Sequence, residues 1–185
     1  LDRMFDADLR MVDFRHESGA VHAADSYSRI LRQCGVALST TPGHANAIPA
    51  LANAIHSEAP VINIAGSADS DNIGRGAMQE FDQVGVASAV TKGSWSIPSP
   101  TRIPEYISLA FRTALSGRQG PVHLTIPHDF QQAVVDKGEV DRYLPREYGI
   151  PRKILADPEQ IVQAINLLKN AERPMIFAGS GAGAS

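Results

Sequence analysis

One cysteine in 185 residues, Cys34, leaves no partner for an internal disulfide and too few thiols for a metal site. Charge of a single sign is equally scarce. Seventeen Lys and Arg stand against twenty Asp and Glu, a formal net charge of −3. That balance gives no basic footprint for nucleic acid or an anionic membrane. No apolar run approaches the roughly 20 residues that a membrane span needs. No basic stretch followed by an apolar core opens the chain in the manner of a secretory signal. The expected compartment is therefore cytoplasmic, with neither nucleic acid nor membrane as a partner. Internal repeats and low-complexity tracts are also absent. What is present is 43% hydrophobic and 20% charged residues, the composition of a globular protein. Cys34, between a helical and an extended segment, reads as a buried, inert thiol.

Helical and extended patterns alternate along the chain. Met11-Val12-Asp13-Phe14 has strand character, and Ala20, Ala23, Ala24, Tyr27 and Leu31 give residues 19–33 one helical face. "GVALST" (35–40) reads as a strand and 44–58 as a helix with a stripe of Ala45, Ile48, Ala52 and Ile55. "PVINIAG" (60–66) is a strand that is apolar apart from Asn63. After a Gly-rich loop at 67–77, Pro104 suits the first turn of a helix whose face is Ile107, Ala110, Phe111 and Ala114. Gly117 suits that helix's end, and "PVHLTIP" (121–127) closes the set as a strand. Such strands, apolar on both faces and separated by helices, predict an α/β fold: a three-layer parallel sheet with helices on both faces. Residues 1–136 form this domain and 137–157 a charged, proline-spaced linker. Residues 158–185 read as the start of a second α/β domain, with a helix at 158–170 burying Ile161, Ala164, Ile165 and Leu168, then the strand "PMIFAG". Both ends look cut, and the chain is expected to be a piece of a longer protein.

In an open parallel sheet, ligands lie beyond the carboxyl ends of the strands. On that edge the sequence places Glu17, the turn Thr40-Thr41-Pro42-Gly43-His44 with Asn46 just after it, the loop leading to Gln79, and Pro127-His128. Glu17 has two readings. It is either a surface acid that stabilises a helix N-terminus by about 0.3–1 kcal/mol, or a carboxyl in a dry crevice whose pKa desolvation raises so that it can pass a proton at neutral pH.

Four ordered segments carry a family resemblance. "RHESGAVHAADSYSR", "TTPGHAN", "GAMQEFDQVGVASAVTK" and "SGRQGPVHLTIPHDF" resemble motifs of thiamine-diphosphate enzymes of the acetolactate synthase and pyruvate oxidase group, across residues 10–135. The resemblance implies the pyrimidine-binding domain of such an enzyme. It implies that Glu17 is catalytic, hydrogen-bonding N1′ of the cofactor's aminopyrimidine and favouring the imino tautomer. Pro42, Gly43, Asn46 and Gln79, with Glu17, would line the cofactor. The activity implied is cleavage or formation of a carbon–carbon bond beside a carbonyl, by decarboxylation or carboligation of a 2-keto acid. "IPALANA" and "RGAMQEFDQV" lean toward the branch of oxalyl-CoA decarboxylase, 2-hydroxyacyl-CoA lyase and benzaldehyde lyase, with an acyl-CoA substrate. Also implied are Mg2+ on ligands in a domain absent from this chain, a homodimer or homotetramer with the cofactor between subunits, and an inactive isolated fragment. FAD binds some members of the group and is not indicated here. Thr41 stands where the family has Gly. His44 replaces a small residue and has two readings, a residue that reaches the site or, the one favoured, a solvated histidine at a helix start. The other histidines, His16, His22, His56, His123 and His128, read as structural or surface.

Three rivals stand beside this. Asp69 to Glu80 matches a calcium loop at its first, third, sixth and twelfth positions, but Ile73 at the fifth offers no side-chain ligand and a strand precedes it. "AGSGAGAS" has the wrong last spacing for a dinucleotide fingerprint. A non-catalytic α/β interaction module is the third.

Overall fold

The chain, described in a computed structural model at residues 4, 6–145, 155–179 and 181–182, divides into two compact units, Leu1–Tyr148 and Gly149–Ser185. The first unit is built on four strands: β1 (Gly35–Ser39), β2 (Val61–Ser67), β3 (Ser94–Ser96) and β4 (Val122–Pro127). They run in the order β1-β2-β4-β3, and every neighbouring pair is parallel. The unit's helices include α1 (Glu17–Leu31), α2 (Thr41–His56), α3 (Gln83–Ser88), α4 (Ile103–Leu115), α5 (His128–Gln132) and α6 (Lys137–Asp141).

Strand alternation assigns the layers. Val61 of β2 and Ala37 of β1 join Val21, Ala24 and Leu51 from α1 and α2 in one core cluster. Ile62, Val122 and Leu124 point the other way, onto Ala110 and Ala114 of α4. The small side chains of α1 and α2 allow a close approach to the sheet. At Gly35 an added Cβ would lie 2.3 Å from the Ala24 carbonyl oxygen, so β1 can start under α1 only without a side chain there. The buried Asp25 of α1 accepts from Arg29 at 2.9 and 3.1 Å and from the Asn53 amide of α2 at 3.0 Å, which ties the two helices together. Lys92 donates to the Thr113 and Ser116 carbonyls and caps the end of α4.

Several expectations need correction. Residues 11–14 form no strand, and Val12 and Phe14 are exposed; strand propensity without a ladder partner leaves the segment irregular. The expected parallel sheet with helices on both faces is present at β2 and β4, while at the edge strand β1 Val36 and Leu38 are exposed because α4 packs on β2 and β4. Phe111 of α4 is exposed and Ser108 is buried, so the helix's inner face is rotated from the expected stripe. The short strand β3 was not expected at all.

In the second unit, α7 (Pro158–Asn170) starts at Asp157, whose carboxylate accepts from the Glu159 N–H at 2.9 Å. None of its residues is buried. Ile161, Ala164, Ile165 and Leu168, the expected inner face, are all exposed. Residues 174–179 form no strand, and Met175, Ile176 and Phe177 stand open. An apolar helix face or strand is buried only by another layer, and the described residues of this unit supply none. Ser180, Gly183 and the rest of the Gly-rich end beyond Ala182 lie outside the described residues. Among the described residues no helix is long and apolar enough to cross a membrane.

Candidate functional site

Because all four strands are parallel, Ser39, Ser67, Ser96 and Pro127 end on one edge of the sheet. Directly after β1, Thr40 takes the N-cap position of α2 without a side-chain capping bond, so the turn expected at 40–44 is the helix's own first turn, with Pro42 at its start. Thr41, where the family has Gly, is not in left-handed backbone, and its hydroxyl donates to the Gly66 carbonyl at 3.2 Å. The threonine is therefore accommodated without strain.

Glu17, Gly43 and Asn46 form one cluster. Gly43 is buried beneath the Glu17 side chain, and an added Cβ would lie 2.4 Å from Glu17 Oε1 and 2.8 Å from its Cγ. Asn46 Nδ2 donates to Glu17 Oε2 at 3.1 Å. Pro42 is exposed on the same turn. Gln79 is not hydrogen-bonded into the cluster. It lies exposed in the 67–80 loop with φ +62°, a left-handed conformation that costs a non-glycine residue of order 1–3 kcal/mol and tends to persist at functional sites.

The dry crevice expected around Glu17 is not formed by these residues. Glu17 is half-buried, and its carboxylate is held below the usual glutamate range. Its own backbone N–H does this first and the Asn46 amide second, against a smaller upward push from burial. The preceding segment, 11–14, is irregular, and its Val12 and Phe14 are exposed. Any desolvation of Glu17 has to come from whatever covers this rim.

His44 is the second correction. It is not a solvated histidine; its ring is fully buried and stacks on His123 at 3.9 Å between centroids and 22° between planes. His44 Nδ1 lies 2.9 Å and His123 Nδ1 3.0 Å from the Asn63 side-chain oxygen. His44 Nε2 lies 3.3 Å from the Gln83 carbonyl, and His123 Nε2 2.8 Å from Thr125 Oγ1. Burial pushes both imidazoles below the usual range, His123 to about 3 with the His44 ring as a second cause. Gln83, which sequence reasoning missed, donates to the Gly66 carbonyl at 2.9 Å and accepts from Thr125 at 3.2 Å. Asn63 and His123 were the available signals, because lone polar residues in buried apolar strands require partners.

The loop at 69–80 does not gather ligands. Glu80 turns back to accept from the Gly74 and Ala77 N–H groups, Asp69 pairs with His128 at 3.0 Å, and Ser70 donates to Asp129. Among the described residues no three His, Cys, Asp or Glu side chains come together as a metal site. Cys34 is half-buried against the second core cluster, and burial pushes its thiol up to about 12.

Residues 1–86 match the family described as thiamine pyrophosphate enzyme, N-terminal TPP binding domain. The chain is 38% identical to a probable acetolactate synthase large subunit of Methanocaldococcus jannaschii, over 97% of this chain and 31% of that protein. It is 34% identical to the acetolactate synthase isozyme 2 large subunit of Escherichia coli (98% of this chain, 32% of that one). To the oxalyl-CoA decarboxylase of Escherichia coli it is 32% identical (94% and 31%). The chain thus spans about a third of the length of the curated relatives it matches.

Proposed function

We propose that this chain, whose residues 1–86 match the N-terminal TPP binding domain family of thiamine pyrophosphate enzymes, forms the pyrimidine-side wall of the site in an enzyme that breaks and makes carbon–carbon bonds beside a carbonyl. The reaction proposed is decarboxylation of a 2-keto acid with carboligation of the product, as in the acetolactate synthases it is similar to. The single observation carrying it is the Glu17–Gly43–Asn46 cluster on the carboxyl edge of a parallel sheet.

The residues present fit the cofactor's ring. A carboxylate oriented by an amide and lying over a bare Cα can exchange a hydrogen with a ring nitrogen, and the absent Cβ leaves the space that the acid uses. When bound, thiamine diphosphate supplies a carbon nucleophile and an electron sink. Glu17 would hold or move a proton at its carboxylate oxygen, Asn46 would fix that oxygen's direction, and Pro42 and Gly43 would wall the ring. Gln79 would reach the site from the 67–80 loop. A cover that excludes water from this rim would raise the carboxyl toward neutrality, opposing the backbone and Asn46 hydrogen bonds that lower it here.

The working enzyme is proposed to be a cytoplasmic homodimer or homotetramer, with magnesium and the diphosphate held by a domain absent from this chain. A second reading, an acyl-CoA lyase or decarboxylase, is supported by the similarity to oxalyl-CoA decarboxylase. Assay of the full-length protein with pyruvate against acyl-CoA donors, with and without thiamine diphosphate, separates the two. Turnover that ignores the cofactor would remove both.

A further inference from the structure

The buried polar cluster behind Gly43 determines its own protonation. Gln83 Nε2 donates to the Gly66 carbonyl, which can only accept, so Gln83 Oε1 is the atom facing Thr125. The Thr125 hydroxyl has one hydrogen and gives it to Gln83, so it must accept from His123 Nε2–H. His44 Nε2 faces the Gln83 main-chain carbonyl, again an acceptor, and must also carry a hydrogen. Two neutral rings protonated at Nε2 present bare Nδ1 lone pairs, and both point at one end of the Asn63 amide. An oxygen there would set three acceptors together. Meanwhile the Asn63 Nδ2 group lies buried with no partner. Reversing the amide gives each ring one N–H and leaves a lone carbonyl oxygen in place of two unmet donors, the less costly outcome.

We propose that His44 is a positioning residue for Glu17: its neutral ring, held with His123 by the two N–H groups of a reversed Asn63 amide, pins the first turn of α2 to β2 and β4 and so sets Gly43 and Asn46 against the carboxylate. His44 adjoins Gly43 and lies two residues before Asn46, and it does not touch Glu17. The groups facing the pair are Asn63 from β2, Thr125 from β4, Gln83 at the start of α3 and the Phe81 ring before it, so each imidazole is the other's titratable neighbour. A proton added to one Nδ1 meets an N–H of Asn63, so the arrangement tolerates the neutral pair alone.

The inference rests on the proposed role of Glu17 for its meaning but not for its test. Histidine-15N spectra of the full-length protein at pH 7 should show both rings protonated at Nε2 and bare at Nδ1. A hydrogen on either Nδ1 would overturn the assignment. The second readout is the 13C titration of the Glu17 carboxyl. In His44→Ala the first turn of α2 is released, Asn46 loses its aim, and Glu17 should titrate at higher pH than in the parent; an unchanged titration refutes the positioning role. Where the alanine variant fails to fold, His44→Gln keeps a donor toward the Gln83 carbonyl but offers no stacked ring, and the same upward shift, smaller in size, is expected. A full-length protein indifferent to thiamine diphosphate would reject the functional reading while leaving both spectra decisive for this one.

Discussion

Asn46 reaches across 29 residues of sequence to donate its amide to Glu17 at 3.1 Å. That bond joins the starts of α1 and α2 above the carboxyl edge of the sheet, and it makes Glu17 part of a site built from two elements. A helix-start acid acting alone would not need it.

Gly43 is explained by the same relationship. Gly43→Ala would drive a methyl group into the Glu17 carboxylate. Because alanine favours helix by about 0.8–1 kcal/mol over glycine, and the displaced group is the end of a flexible side chain, the melting temperature should hold or rise. Turnover of the full-length enzyme should fall at least tenfold. Loss of both together would point to general misfolding.

Asp25 anchors α1 to α2 with its carboxylate buried. Asp25→Ala leaves the Asn53 amide and Arg29 without their acceptor, and should cost roughly 2–3 kcal/mol in urea unfolding. Arg29→Ala uncovers the same carboxylate and should be at least as costly.

The stacked histidines give stability a defined pH dependence. Both folded-state pKa values lie below the unfolded value, so the unfolded chain takes up protons first as pH falls. Stability is fully present above about pH 6.5 and is lost as pH drops, toward about 3 for His123. The slope is at most about 1.4 kcal/mol per pH unit for each histidine. Urea midpoints at pH 7 and pH 5 should differ accordingly, and His123→Gln should flatten the slope.

Cys34 should resist alkylation. With its thiol pushed up to about 12 by burial, the thiolate fraction at pH 8 is on the order of one in ten thousand. Iodoacetamide labelling should be much slower than for a free thiol until the protein is unfolded. Equal rates in both states would contradict the packing of this residue.

Much of the parallel sheet was legible because "GVALS", "VINIAG" and "VHLTIP" are short apolar runs bounded by helical patterns and turns. β3 was not, since a three-residue Ser-Trp-Ser strand carries no run to detect. Glu17, Gly43 and Asn46 were legible through ordered motifs, but the reason for glycine at 43 needed the Glu17 side chain in place. His44 was misread because a polar residue at a helix start usually faces water. The register that sets Asn63 beside His123 places its partners on adjacent strands, where no local pattern joins them to residue 44. The irregular course of residues 11–14 has a related cause: they have the sequence of a strand and, among the described residues, no neighbour to pair with.

The most direct test of the account is the turnover of the full-length enzyme carrying Glu17→Gln, measured at saturating thiamine diphosphate. Glutamine keeps the shape and the contact with Asn46 but cannot pass a proton to a ring nitrogen. Turnover should fall by several orders of magnitude, with the fold and oligomeric state unchanged. A variant that works near the parental rate would contradict it.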